Sequence, residues 1–175
     1  MGRPKQLLPL DGRPLIEHAL RALAASRVDE IILVAGSLFD TLAPLCRRYR
    51  ARIVPNVDLH GDMTGSVRLG LSAARVDTSG IMIFPADYPR ITVDTIDNLL
   101  AEHEQTSGDI LIPTCGERRG HPAIFPRYLL KGLGSRTTLR DIMRLHSGHV
   151  RNVAVDDRGI LLDIDTPEEY KALKG

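Results

Sequence analysis

The stretch GIMIFPAD, residues 80–87, is the most apolar run in the chain, and it ends on a carboxylate. A short continuous apolar run of this kind reads as a strand buried on both faces. The same pattern recurs in EIILVAG (30–36), closed by a glycine, in RIVPN (52–56), stopped by Pro55, and in DILIPT (109–114). Helical spacing fills the intervals. Leu15, Ile16, Ala19, Leu20 and Leu23 predict an amphipathic helix over 14–25. Further helices are expected over about 38–50, 65–75 and 92–105, the last with Thr92 as its N-cap. Arg47, Arg48 and Arg50 put positive charge where the second helix presents its partly negative end. Strands alternating with helices mean βαβ units, and so an α/β fold with a mainly parallel sheet.

Beyond Cys115 the rhythm changes. GERRGHPAIFPRYLLKGL mixes glycine, proline and charge around a short β-like run, AIF. A helix over about 137–146, a strand over 150–155 and a short apolar run at 160–164 are expected next. Thr166, Pro167, Glu168 and Glu169 match a capping box with proline in the first helical position, which starts a last helix.

At 175 residues the chain is expected to form one domain, residues 1–175. Net charge is +1, which gives no sign of a nucleic-acid partner or an acidic membrane surface. Aromatic residues make up 4%, with no tryptophan, so a base-stacking platform for single strands is not expected. No apolar run reaches the roughly 18 residues of a membrane span, and no signal-peptide pattern is present. Cys46 and Cys115 lie in no metal or redox spacing. The expectation is a cytoplasmic protein with reduced thiols and no membrane or nucleic-acid partner.

In open parallel sheets, ligands bind beyond the C-terminal ends of the strands. That rule selects Asp87, although aspartate before Tyr88-Pro89 is also an ordinary turn starter. Asp163 and Asp165 are two apart, so an extended backbone aims both to one face. Thr166 fits the helix cap better than either, because it places Glu169 in the reciprocal position, and Asp165 is left without a structural task. Asp87 and Asp165 together suit a hard divalent cation such as Mg²⁺, which takes one or two carboxylates plus phosphate oxygens.

Lys5 has the character of a phosphate-binding loop lysine, against the ordinary alternative of a solvated one. GDMTGS (61–66) is a polar loop entering a helix, read either as a nucleotide cradle or as a plain cap through Thr64 or Ser66. His121 sits between Gly120 and Pro122 beside Arg118 and Arg119, which suits an anionic group or a basic surface loop. His18 reads as structural, and His146 and His149 as surface residues.

MGRPKQLLPLDGRPLIEHALR resembles the second part of the opening signature of molybdenum cofactor nucleotidyltransferases, closest to their cytidylyltransferase branch. NVDLHGDMTGSVRLGL, PADYP, RGHPAIF and DIDTPEEY are similar to four further stretches of that family, in order, over nearly the whole chain.

The resemblance implies a three-layer Rossmann-like fold of the glycosyltransferase A type, found in nucleotide-diphospho-sugar transferases. Residues 1–115 would form the nucleotide-binding part, and 116–175 the acceptor side with a C-terminal metal segment. It also implies CMP transfer from CTP, or another nucleoside triphosphate, to the phosphate of molybdenum-bound molybdopterin, with a molybdenum hydroxylase as a possible recipient. Lys5, Asp87 and Asp165 would be catalytic, the two aspartates holding Mg²⁺. Arg3, Lys5, Asn56, Gly61, Gly65, Ser66 and Ala86 would face the nucleotide, and Arg119, Gly120, His121 and Pro122 the pterin. The family's first strand and the start of its phosphate loop have no counterpart in the sequence, so Met1 reads as an internal residue of the motif and the sheet is expected to have a gap. Two other readings stay open: a non-catalytic cofactor carrier, and a transferase of the same fold acting on a sugar phosphate or another small phosphate.

Overall fold

A computed structural model describes residues 4–58, 63–134 and 136–173. A 3₁₀ turn, Lys5–Leu7, leads into the hairpin of β1 (Pro9–Leu10) and β2 (Arg13–Pro14). Asp11 and Gly12 carry the positive φ that so short a turn requires. There follow α1 (Leu15–Ala25), β3 (Ile32–Ala35), α2 (Phe39–Arg48), β4 (Arg52–Pro55), α3 (Met63–Ala73), β5 (Gly80–Ile83) and α4 (Val93–Gln105). The C-terminal third adds β6 (Ile110–Cys115), β7 (Arg118–Arg119), β8 (Ala123–Pro126), α5 (Leu139–Leu145), β9 (Val150–Ala154) and α6 (Pro167–Ala172). The expected elements are all present, and the AIF run is β8.

The strands form a mixed sheet in two parts. β3 and β4 pair in parallel, Ile32 opposite Arg52 through Ala35 opposite Pro55. The second part has β6 at its centre. β9 pairs with β6 in parallel, and β8 runs antiparallel between β6 and β5. β5, β6 and β9 therefore share one direction, with β8 reversed.

The gap expected in the sheet lies between the two parts. Among the described residues no strand pairs with the second edge of β3 or of β5. A cavity of about 550 Å³ separates them, lined by Leu33 and Val34, by Ile81 and Met82, and by Leu20 and Leu71 from α1 and α3. Burial follows this division. Ile110 and Leu111 of β6 and Ile124 of β8 are essentially inaccessible, whereas every residue of β5 is only half-buried.

Packing gives each part its own cluster. Ile110, Ile112, Phe125, Leu130 and Ile142 hold β6, β8 and α5 together. Each such side chain contributes roughly 1.5–3 kcal/mol by leaving water. Ile16, Leu20, Ala35, Leu42 and Cys46 hold α1 and α2 to β3. A third cluster of Leu10, Leu15 and Ile164, with Leu8, Tyr170 and Leu173 against it, ties the N-terminal hairpin to the C-terminal segment. Residues 160 places apart in sequence thereby share one end of the molecule.

Two buried carboxylates that the sequence did not single out brace this frame. Glu17, 4% exposed, accepts from Tyr49 Oη at 2.7 Å, Arg13 at 3.2 Å and Arg48 at 3.3 Å. Burial alone would raise its pKa, but these donors more than offset that and leave it lowered. Asp157 accepts from Thr92 N, Thr92 Oγ1, Thr95 Oγ1 and Gly159 N at 2.7–2.9 Å. It fastens the start of α4 to the turn Arg158–Leu161, and those donors likewise overcome burial to hold its pKa low.

Candidate active site

Lys5, Asp87 and Asp165 meet at the end of the sheet. Asp87 follows β5 on the turn before α4, and its carbonyl accepts from Ile164 N at 3.1 Å. That bond draws the C-terminal segment alongside, with Ile164 buried and Asp165 facing outward. Thr166 caps α6 as expected, with Glu169 as the reciprocal partner, so the Asp165 side chain is not used by the helix. On the other side, the Lys5–Leu7 turn is held by Leu7 against the cluster that contains Ala86. The Tyr170 hydroxyl also donates to Pro9 O, tying α6 to β1.

The Lys5 Nζ donates to Asp87 Oδ2 at 2.7 Å and to Asp165 Oδ1 at 2.7 Å. Partial burial pulls the Lys5 pKa down, but the two carboxylates outweigh it, and the ammonium is held charged above its ordinary range. Two carboxylates gripping one cation are a donor set of hard oxygens. It fits a magnesium-type ion that completes its shell with water and phosphate oxygens. Among the described residues no third histidine, cysteine or acid joins them in a three-ligand cluster.

The residues expected on the acceptor side form an adjoining wall. Gly120 presses on the Ile160 carbonyl so closely that a Cβ would collide with it. Its N–H donates to Pro113 O at 2.9 Å, and His121 N donates to Ile160 O at 3.0 Å. The His121 ring stacks edge-on against Tyr88, with centroids 4.9 Å apart. Its Nδ1 is buried with no hydrogen-bond partner among the described residues. Burial lowers the His121 pKa against the opposing pull of Asp87 and Asp163, so the ring is neutral at pH 7. Tyr88 is pushed up to about 12 by burial and then by Asp163, Asp87 and Asp165, and stays a neutral phenol.

Other expected residues lie apart from this centre or outside the described residues. Asn56 Nδ2 donates to Ser66 Oγ at 3.2 Å, joining the end of β4 to α3. Thr64 and Ser66 are inside α3, which begins at Met63, so neither is the helix cap proposed as the plain reading. Gly65 lies on the same first turn. Arg119 is exposed on β7, where its Nε donates to Asn152 Oδ1 at 2.9 Å. Pro122 is buried beside His121. Arg3 and Gly61 lie outside the described residues.

His18 keeps its structural role, its Nε2 bonding Leu10 O at 2.9 Å, and His149 is exposed, 3.4 Å from Asp109, whereas His146, expected at the surface, is half-buried. Tyr88, against His121, and Asp157, in the supporting frame, are not singled out by the sequence. Asp157 carried a local sign, since aspartate two residues before glycine is a side-chain-to-backbone turn pattern. Tyr88 carried none.

Residues 1–153 match the family model of the MobA-like NTP transferase domain, and the chain belongs to that family. Molybdenum cofactor guanylyltransferase of Burkholderia vietnamiensis is 32% identical, over 80% of this chain and 65% of that protein. Nicotine blue oxidoreductase of Paenarthrobacter nicotinovorans is 27% identical over 99% and 89% of the two chains. The bifunctional protein GlmU of Mycobacterium ulcerans is 32% identical over 63% of this chain, which spans about a quarter (24%) of that protein's length. Among solved structures, Rv0371c of Mycobacterium tuberculosis in complex with manganese superposes with a TM-score of 0.78 at 27% identity, covering 99% of this chain and 92% of that one. The fold is therefore the α/β nucleotidyltransferase fold.

Proposed function

We propose that the chain is a Mg²⁺-dependent cytidylyltransferase that moves CMP from CTP to the terminal phosphate of molybdenum-bound molybdopterin. An oxygen of the acceptor phosphate attacks the α-phosphorus, the bond to the β-phosphate oxygen breaks, and pyrophosphate leaves. The convergence of Lys5, Asp87 and Asp165 on one point carries this reading. Transfers of this kind need charge neutralisation and in-line positioning more than a protein nucleophile.

Asp87 and Asp165 would hold the magnesium ion, which when bound neutralises developing phosphate charge. Lys5 supplies a mobile positive charge to the phosphates. Ala86, Asn56, Gly65 and Ser66 would face the nucleotide, and Arg3 and Gly61 are assigned to it by the family resemblance alone. Gly120, His121 and Pro122 shape the acceptor wall, and Arg119 offers an exposed cation at its rim. A neutral His121, edge-on against Tyr88, gives this wall an uncharged surface beside the carboxylates. Membership of the MobA-like family and the molybdenum cofactor guanylyltransferase relative support the acceptor class.

The test is pyrophosphate release from CTP and Mg²⁺ with molybdenum cofactor as acceptor. GTP in place of CTP, and a sugar phosphate in place of the pterin, are run in parallel. Release that requires both CTP and the pterin supports the reading. Turnover only with GTP or only with a sugar phosphate would replace it, and pterin binding without nucleotide binding would favour a carrier.

A further inference from the structure

Lys5 Nζ occupies the point where the two carboxylate oxygens proposed to hold the metal converge. A magnesium-type ion bound to Asp87 Oδ2 and Asp165 Oδ1 would sit roughly 2.0–2.1 Å from each. The ammonium already lies 2.7 Å from both. An ammonium and a divalent ion repel, and these oxygens cannot serve both at such range.

We propose that Lys5 is the resident cation of this site and couples metal entry to triphosphate entry: the divalent ion gains the two carboxylates only when phosphate oxygens draw the ammonium away. This rests on the reading above for the metal role of the two carboxylates and for the identity of the triphosphate. Three features make the exchange feasible. The Lys5 backbone is anchored close by, where Leu7 and Leu8 pack into two different clusters, while its four-carbon stem has rotatable bonds that can re-aim the ammonium. The site is open to incoming ligand, with 30% of the Lys5 side chain and 61% of that of Asp165 exposed. With Lys5 in place the two carboxylates are neutralised in part and bonded, so a metal ion alone has little to gain. Coupling of this kind is reciprocal: whatever factor triphosphate adds to metal affinity, metal adds to triphosphate affinity.

The experiment is a Mn²⁺ titration of the full chain, followed by the electron paramagnetic resonance of free Mn²⁺, with and without CTP. Lys5→Met removes the resident cation, and Lys5→Arg keeps one that spans both carboxylates. Circular dichroism checks that each variant is folded. Without CTP, Lys5→Met is expected to bind Mn²⁺ about tenfold tighter than the parent chain, within the usual range of site coupling, while Lys5→Arg stays as weak as the parent. CTP should tighten Mn²⁺ on the parent by a larger factor than on Lys5→Met. Equal Mn²⁺ affinity for parent and Lys5→Met, an equal CTP effect on both, or no Mn²⁺ binding by any chain overturns the proposal. Should Lys5→Met not fold, Lys5→Gln answers the same question.

Turnover does not enter this readout. Lys5-dependent Mn²⁺ binding without transfer from CTP would sink the proposed function and leave the coupling intact. Normal transfer with Lys5-independent Mn²⁺ binding would do the reverse.

Discussion

The two parts of the sheet differ in what surrounds their strands. β6 has neighbours on both edges, and its first five residues are buried. β3 has a single partner among the described residues, only its Ala35 is buried, and its free edge faces the cavity. The proposed acceptor wall stands on the first kind of support, through Gly120 bonded to Pro113 of β6. Lys5 stands near the second, through Leu7 in the β3 cluster. The candidate site thus joins a frame built on β6, a strand paired on both edges, to a part whose strands each pair on one edge only among the described residues. Local stability follows the density of buried contacts, so the two sides should open with different free energies.

The largest contrast should come from core truncation. Phe125→Ala, on β8 with a neighbour on each edge, is expected to cost about 3–5 kcal/mol. Leu33→Ala, beside the cavity, should cost less than about 2 kcal/mol, since that side chain is only half-buried. Urea unfolding of both variants measures this, and equal losses would erase the distinction between the two parts.

Gly120→Ala should come next. The new methyl group must displace the Ile160 carbonyl, an overpacking cost of about 1–3 kcal/mol. Its kinetic signature is selective: the KM for the acceptor rises and that for the nucleotide triphosphate does not. A rise in both would mean that the acceptor wall is not a separate unit.

The smallest expected effect is that of pH. His103 and His121 are both held neutral, chiefly by burial, with folded pKa values below the ordinary 6.5. The unfolded chain therefore binds more protons than the folded one as pH falls through that value. Their contribution is fully present above pH 6.5 and is lost as pH drops below it. The urea midpoint should fall between about pH 7.5 and pH 5.5. Replacing both histidines with glutamine should flatten that change, and an unaltered slope would assign it to other groups.

Much of this was legible in the sequence, because it rests on local signals. The apolar runs ending at Ala35 and Ile83, the Thr92 cap and the Thr166–Glu169 capping box each specify their own element. Asp165 could be singled out because Thr166 took the cap. The grip of Lys5 on both aspartates was not legible. It depends on Leu10, Leu15 and Ile164 packing across the whole length of the chain. The antiparallel course of β8 was equally hidden, since a four-residue buried run carries no direction. The solitary state of the His121 Nδ1 is a property of the packed loop and leaves no trace in composition.

The most direct test of the central claim is pyrophosphate release from CTP, Mg²⁺ and molybdenum cofactor by the parent chain and by Asp87→Asn and Asp165→Asn. Both substitutions nearly preserve shape and remove one charge from the Lys5 site. The account predicts release by the parent chain and a loss of about 100-fold or more in each variant, the scale of removing one preorganised charge contact. Release by the parent that survives both substitutions would contradict it.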